Sequence, residues 1–144
     1  MKGLAMIDII ERALADDERV KMLSDYDQIL AKAGVPQNEF KHYSLVAVEE
    51  KQMIGYVSGI RDHQWLFLSD MWIEVTHRRQ GIGSYLLKSF EEKIKVEGIT
   101  HIYLWTYGPI NPKFYEKNGY AQFTVFENFY EVNGYHQYGY RKDL

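Results

Sequence analysis

The sequence of 144 residues contains no cysteine. Disulfide bonds, zinc sites with thiolate ligands and a cysteine nucleophile are therefore excluded, and the chain suits a reducing compartment. It also lacks an apolar run of the ~20 residues that a transmembrane helix needs. Acidic residues near the start come too early for a signal peptide. We expect a cytoplasmic protein that does not bind a membrane.

The chain has no excess of basic residues, with 17 Lys and Arg against 20 Asp and Glu and a net charge of -3. This balance argues against a general nucleic-acid-binding protein. A hydrophobic fraction of 46% is enough for a folded core. We see no repeat, linker or low-complexity tract, and predict one domain over residues 1–144.

Tyrosine is abundant, with 12 residues, and four lie close together near the C-terminus: Tyr130, Tyr135, Tyr138 and Tyr140. Because tyrosine favours strands, this cluster predicts a half-buried aromatic face of a sheet. An aromatic pocket for a ligand and a dimer surface are the alternatives, and the second would make the protein a homodimer.

Apolar periodicity predicts two helix faces within the first 35 residues: Ile7, Ile10 and Leu14 on the first, then Val20, Leu23 and Leu30 on the second. The acidic segment 16–18 favours the start of the second helix, where it meets the positive end of the helix dipole. Gly34 and Pro36 predict the end of that helix.

Two further helices are expected in the second half of the chain. The first helix buries an apolar stripe that repeats every four residues. This helix ends at Gly98, and its outer surface carries Lys88, Glu91, Glu92 and Lys95. The second opens at Asn111-Pro112, a good cap followed by a proline in the first turn, and closes at Gly119. Strand-like runs surround both helices, at 45–48, 53–60, 65–75, 99–106, 121–126 and 135–141. These elements predict an α/β (α+β) domain with a mixed central sheet flanked by helices.

The segment Arg78-Arg79-Gln80-Gly81-Ile82-Gly83 lies where a strand ends and a helix begins. A helix start presents backbone N–H groups without partners and a partial positive charge, so it favours anions. Glycine lets phosphate oxygens approach that backbone, arginines add charge, and Ser84 adds a hydroxyl. A tight turn with a solvated arginine pair is the alternative interpretation. Neither of the two better-known glycine-rich phosphate loops matches this pattern.

This segment resembles the acetyl-CoA signature of the GCN5-related N-acetyltransferase (GNAT) superfamily, Gln/Arg-x-x-Gly-x-Gly/Ala. A second segment, Phe114-Tyr115-Glu116-Lys117-Asn118-Gly119-Tyr120, is similar to the family's "FYEKxGF" block and follows in the expected order. The resemblance covers roughly residues 43 to 126, so it implies an acetyl-CoA-binding core at 43–126. It also implies an acceptor-side helical region at 1–42 and a C-terminal strand region at 127–144. Residues 1–42 are atypical, because the family usually opens with a strand and none is visible here.

The resemblance implies that the pyrophosphate of acetyl-CoA, the co-substrate, rests on the N–H groups of residues 79 to 84. The pantetheine arm would then run along the end of the preceding strand, near Trp72, Ile73 and Val75, like an added strand. The thioester would lie where this strand and the strand at 99–106 separate. Asn111 is expected mainly to cap its helix, with a cofactor contact as the alternative, because Pro109 occupies the position of the family's usual asparagine.

Tyr115 matches the family tyrosine that protonates the departing thiolate, and packing on a helix face is the alternative. The attacking amine must lose a proton, for which Asp70 and Glu74 are the candidate bases. Four residues apart on a strand, they would share a face unless a bulge separates them. We expect Asp70, nearer the middle of the strand, to be less solvated than Glu74.

The five histidines show no paired metal-ligand spacing, so no metal is expected; His77 could assist phosphate binding. The implied function is acetyl-CoA-dependent transfer of an acetyl group to a primary amine, most simply a small molecule, within a ternary complex. A protein lysine or N-terminus as acceptor, and a non-catalytic acyl-CoA-binding regulatory module, are the alternatives.

Overall fold

The computed structural model describes residues 6–144. The chain divides after Gln37 into two compact units. Within its described residues the first contains one α-helix, α1 (Asp16–Lys32), whose first turn holds the three predicted acidic residues. The Glu18 carboxylate accepts a hydrogen bond of 2.8 Å from the Ala15 N–H, which satisfies one free donor of the helix start. The helix ends one turn before Pro36, as the sequence predicts.

Residues 7–15 form neither helix nor strand. The predicted helix face of Ile7, Ile10 and Leu14 is therefore wrong, and all three side chains are exposed. A segment this short gains too little from backbone hydrogen bonds to form a helix unless its apolar side packs on a core. Within residues 6–41 no strand precedes the sheet, so the described chain lacks the family's usual first strand.

The second unit is built on six strands: β1 (His42–Glu49), β2 (Gln52–Asp62), β3 (Trp65–Ile73), β4 (His101–Tyr107), β5 (Ala121–Phe126) and β6 (Gln137–Asp143). They form one sheet in the order β1-β2-β3-β4-β6-β5. Only β3 and β4 pair in parallel; the other neighbours are antiparallel. The unit also contains α2 (Ile82–Val96), α3 (Asn111–Lys117) and a 3₁₀ helix, Val75–His77. The predicted mixed sheet with helices is confirmed.

Helix α2 supplies much of the core, because its predicted apolar stripe is buried. Its stripe packs with sheet residues from β2, β3 and β4, among them Val57, Leu66 and Leu104. Glu91 was predicted on the outer surface of this helix but is 9% exposed. Its carboxylate accepts bonds of 2.7 Å from the Tyr120 hydroxyl and 2.9 Å from Lys142 Nζ, and these partners offset the cost of burying its charge.

Two side-chain hydrogen bonds from β6 show that α2 and α3 cover the same face of the sheet. Lys142 bonds to Glu91 of α2, and the Tyr140 hydroxyl donates to Glu116 of α3 at 2.6 Å. Since side chains alternate along a strand, residues 140 and 142 point to one face. Tyr138 and Tyr140 lie in β6 as predicted, whereas Tyr130 and Tyr135 lie in the loop before it.

Candidate active site

The sheet is open between β3 and β4. These strands pair only where residues 65–67 meet residues 101–103, and beyond that no strand of the described chain joins them. The facing backbone edges therefore keep donors and acceptors that a ligand can use in place of a strand. The family resemblance implied that the two strands separate at this place.

A groove of about 590 Å³ lies at this opening. It brings together nine residues that were predicted for the site: Trp72, Ile73, Arg78, Arg79, Gly81, Gly83, Ser84, Asn111 and Tyr115. Five other predicted residues do not line it: Asp70, Glu74, Val75, Gln80 and Ile82. The groove thus joins the start of α2 to the tyrosine of α3, which are separated by about thirty residues of chain.

The start of α2 has the properties of a site for a diphosphate. Gly81 is the N-cap residue with φ +82°, and Arg79 also has a positive φ of +63°. In the part of the chain that the structure describes, no backbone carbonyl or side chain accepts from the N–H groups of residues 79–84. Free N–H groups and the helix dipole both favour an anion here.

Glycine is required at the two motif positions for different reasons. Gly81 has open space around it, so its left-handed φ, which other residues adopt at a cost, explains the glycine. At Gly83, by contrast, a Cβ would lie 3.1 Å from Phe114 Cε1 and 3.5 Å from Ile73 Cγ1. The second glycine therefore lets α2 approach the aromatic wall of the groove.

Three cations line the groove beside these N–H groups. Arg78 donates from Nε to the Ile73 carbonyl at 2.8 Å, which ties the loop to the end of β3. This contact also occupies the carbonyl that a pantetheine arm was expected to use. Arg79 and Lys117 are exposed and line the same groove. Both can neutralise phosphate charge, and Lys117 was not predicted.

Tyr115 is 7% exposed, yet it lines the groove. Its ring packs edge-on against Phe114 and Tyr120, with centroids 5.1 and 5.6 Å away. Burial raises the pKa of Tyr115 to about 12, and no hydrogen bond to another side chain contributes to that shift. The hydroxyl is thus protonated at neutral pH and has no described partner to compete with a ligand. This arrangement favours a proton donor over an aromatic that only packs.

A bulge in β3 decides where Asp70 points. Ser58 of β2 pairs with Asp70 and the next residue pairs with Leu68, so Ser69 is the extra residue. Leu68 is buried under α2, and after the bulge Met71 and Ile73 also pack against that core. Asp70 therefore points to the opposite face, where its Oδ2 accepts a 2.9 Å bond from the Ser58 hydroxyl.

The expected order of solvation is reversed, because Asp70 is exposed and Glu74 is half-buried. Glu74 follows the end of β3 and caps the 3₁₀ helix: it accepts from the Thr76 N–H at 3.1 Å and from the Thr76 hydroxyl. His77 Nδ1 lies 2.9 Å from the same carboxylate, and its Nε2 lies 3.2 Å from Glu49. Glu74 is thus held by local contacts, and the end of the strand, not the bulge, separates it from Asp70.

The contacts of His77 have consequences for its own predicted role. The hydrogen bond to Glu74, followed by that to Glu49, raises the pKa of His77. The hydrogen bonds from Thr76 and then from His77 lower the pKa of Glu74. Because both ring nitrogens face carboxylates, the imidazole is committed to these partners and is not free for phosphate.

Two further expectations need correction. Asn111 does not cap α3: the N-cap residue is Ile110, no side-chain bond caps the helix, and Asn111 lines the groove as the first helical residue. Val75 lies in the 3₁₀ helix and is 66% exposed, so β3 is shorter than predicted and Val75 offers no strand edge.

Six lining residues were not predicted: Met71, His77 (considered only as an aid to phosphate binding), Tyr107, Ile110, Phe114 and Lys117. Phe114 and Lys117 belong to the second quoted motif, so they could have been predicted from that segment. Tyr107 and Ile110 come from the end of β4 and the turn after it. Their position became meaningful only when the opening between β3 and β4 was known.

A family model for the acetyltransferase (GNAT) domain matches residues 41–122, which is more than half of the chain. With the fold and the groove, this match shows that the chain belongs to the GNAT acetyltransferase family. No curated protein sequence matches the chain.

Solved structures of acetyltransferases share the fold. One from Bacillus cereus ATCC 14579 is 25% identical, with a TM-score of 0.77 over 97% of this chain and 99% of that one. An aminoglycoside 6'-N-acetyltransferase complexed with coenzyme A is 18% identical, with a TM-score of 0.64 over 87% and 85% of the two chains. The ribosomal-protein-S18-alanine N-acetyltransferase from Escherichia coli is 16% identical, with a TM-score of 0.65 over 81% and 76%. Small-molecule and protein acceptors both occur among these names, so the fold alone does not select the acceptor.

No helix in residues 6–144 combines the length and the apolar character that crossing a membrane requires. No group of three or more His, Asp or Glu side chains in residues 6–144 is placed to hold a metal ion.

Proposed function

We propose that the protein transfers the acetyl group of acetyl-CoA to the primary amine of a small molecule, by direct transfer in a ternary complex. The observation that carries this proposal is the row of free N–H groups at residues 79–84, which opens into the same groove as Tyr115. An anion site and a buried proton donor in one groove are what transfer from an acyl-CoA requires.

The residues present fit the co-substrate. The start of α2 and the cations Arg79 and Lys117 would hold the diphosphate, and the open edges of β3 and β4 would hold the arm. Acetyl-CoA supplies a thioester carbonyl that an uncharged amine can attack. A backbone N–H at the opening could stabilise the developing oxyanion.

Two proton transfers remain for the side chains. An alkylammonium must lose a proton before attack, and Asp70, directly or through water, is the proposed acceptor of that proton. As the N–C bond forms and the C–S bond breaks, the nitrogen loses its second proton to solvent. Tyr115 donates its proton to the departing sulfur and is reprotonated from solvent, so one proton is released overall. The desolvation that raises the pKa of Tyr115 to about 12 makes the phenol a weaker acid, but the same desolvation disfavours a thiolate, so the two effects offset each other.

Replacing Tyr115 with Phe tests the proposal. We expect turnover, followed as CoA release with a thiol reagent, to fall roughly 100-fold or more, the usual range for a lost general acid. Acetyl-CoA affinity and the melting temperature should not change, because the hydroxyl bonds to no described residue. Tyr85→Phe, at an exposed tyrosine in the first turn of α2, is the matched control.

Other outcomes identify other functions. Equal turnover in Tyr115→Phe and the parent protein would remove the phenol from the mechanism. Binding of acetyl-CoA without CoA release for any amine or peptide would indicate the regulatory module instead. Release only with peptides would indicate a protein acceptor. The cytoplasmic location, the homodimer, and the division at residues 42 and 126 stay predictions, and light scattering tests the dimer.

A further inference from the structure

The face of the sheet opposite α2 and α3 carries a continuous surface of aromatic rings. In β4, Trp105 and Tyr107 alternate with the buried Leu104 and Thr106, so they point away from the helices. We call the aromatic face the set of six residues Trp105, Tyr107, Phe123, Phe126, Phe129 and Tyr130. Each is between 36% and 53% exposed, so much of this apolar area is available to a ligand.

The rings of this face pack on one another and form an ordered surface. Trp105 stacks on Phe126 with centroids 5.2 Å apart and planes 19° apart, and Phe123 lies 5.8 Å from Trp105. A Cβ on Gly139 would lie 2.6 Å from Phe123 Cζ, so a glycine in β6 makes room for that ring. Rings fixed in this way offer apolar contact at a low cost in conformational entropy.

This aromatic face is continuous with the proposed transfer groove. Tyr107 lines the groove and also contacts Tyr130 of the aromatic face, with ring centroids 5.6 Å apart. On the other side of the opening, Asp70 and Trp72 point to this same face of the sheet, because the bulge at Ser69 reverses the alternation. A molecule resting on the aromatic face would thus reach both the carboxylate and the groove.

The charges of this face are few. Among the β3 and β4 residues on this side, Asp70 is the one carboxylate. Arg141 and Asp143 of β6 also point to this side of the sheet, outside the aromatic face: Arg141 Cζ lies 4.7 Å from the Trp65 ring, and Asp143 Oδ1 lies 3.3 Å from Arg141 and 2.7 Å from His101. Asp143 is therefore already paired. Glu127 and Glu131 are exposed in the loop before β6. Because Asp70 is the carboxylate beside the opening and the neighbouring area is aromatic, this part of the surface suits one positive charge on an apolar body.

We infer that the acceptor is an arylalkylamine, meaning a primary amine on a short chain that ends in an aromatic ring. This inference rests on the proposed function and specifies its substrate class. The ring lies on Trp105 and its neighbours, and the ammonium lies at Asp70. There it gives up one proton, the nitrogen takes the acetyl group in exchange for its second proton, and the CoA sulfur is protonated.

A panel of amines tests the inference without any mutation. CoA release is measured with 2-phenylethylamine, with ethylamine as the matched amine without a ring, and with spermidine and an aminoglycoside as polycations. We expect kcat/KM to be about tenfold or more higher for 2-phenylethylamine than for ethylamine, from the loss of one aromatic contact and its apolar area. The polycations should be the poorest substrates.

A variant then locates the ring. Trp105→Leu keeps an apolar side chain but removes the stacking surface, so KM for 2-phenylethylamine should rise several-fold while kcat and the ethylamine kinetics stay unchanged. Phe40→Ala removes an exposed aromatic just before β1 and should change none of these values. Faster turnover of a polycation or of ethylamine, or an unchanged KM in Trp105→Leu, would overturn the inference while leaving the acetyltransferase intact. No CoA release with any amine would overturn both.

Discussion

The buried contact between Lys142 and Glu91 allows a stability prediction with a worked magnitude. Lys142 Nζ donates to Glu91 at 2.9 Å and to the Asn118 carbonyl at 2.9 Å, and it lies 5.5 Å from the centre of the Tyr120 ring. Lys142→Met keeps most of the apolar stem and removes the charge. Glu91 is then a buried carboxylate with Tyr120 as its remaining partner.

The size of the loss follows from the burial of the two groups. A hydrogen bond to a charged group contributes about 1.5–3 kcal/mol, and breaking a fully buried pair costs about 3–5 kcal/mol. The side chains here are 27% and 11% exposed, so water can partly replace the lysine. We therefore expect Lys142→Met to lower the free energy of unfolding by about 2–3 kcal/mol.

Urea denaturation, followed by tryptophan fluorescence, measures this loss. Lys88→Met is the matched control, because Lys88 is exposed on the same helix as Glu91, and it should change stability by about 0.5 kcal/mol or less. Adding Glu91→Gln to Lys142→Met should recover more than half of the loss, since no unpaired charge then remains. Equal losses in Lys142→Met and Lys88→Met, or no recovery in the double variant, would refute the reasoning.

Two other predictions concern the site. Gly81→Ala and Gly34→Ala should each lower the free energy of unfolding by about 1–2 kcal/mol, because both glycines have a φ near +80° in open space. Only Gly81→Ala should also weaken coenzyme A binding, measured by calorimetry. Equal coenzyme A affinities of the two variants would argue against the diphosphate site. His77→Gln should destabilise the protein most at low pH. The pKa of His77 is raised in the folded protein, so its protonated form stabilises the fold fully below the unfolded pKa of about 6.5, and this stability is lost as pH rises through the folded pKa. Melting temperatures of parent and variant at about pH 6 and 9 test this, and a gap that grows with pH would contradict it.

Much of the fold could be predicted because local patterns and global packing agree. The stripe of α2 depends on short-range periodicity, which needs no knowledge of partners. The bounds of β5 were predicted as they occur. The helix predicted within residues 7–15 was wrong for the opposite reason. The apolar spacing there is helical, but these residues are exposed and do not pack on a core that would stabilise a helix.

The candidate site likewise contains features that a local pattern predicts and features that it does not. Glycines before a helix, with arginines ahead of them, indicate an anion site from the sequence alone, because helix starts always present free N–H groups. By contrast, the different positions of Asp70 and Glu74 were not predictable. One extra residue in β3 turns Asp70 to the open face, and the 3₁₀ helix takes Glu74 as its cap.

The family resemblance implied the tyrosine of α3 as the candidate acid, whereas the sequence by itself determined the order of elements and the start of α2 with its unpaired donors. These depend on residue type and spacing along a single segment. Only the tertiary structure decided where the pairing of β3 and β4 stops, that Glu91 is buried with a lysine, and that aromatic rings from β4, β5 and a loop meet on one face. Each of these depends on strands and helices far apart in the chain, whose register and bulges no local pattern specifies.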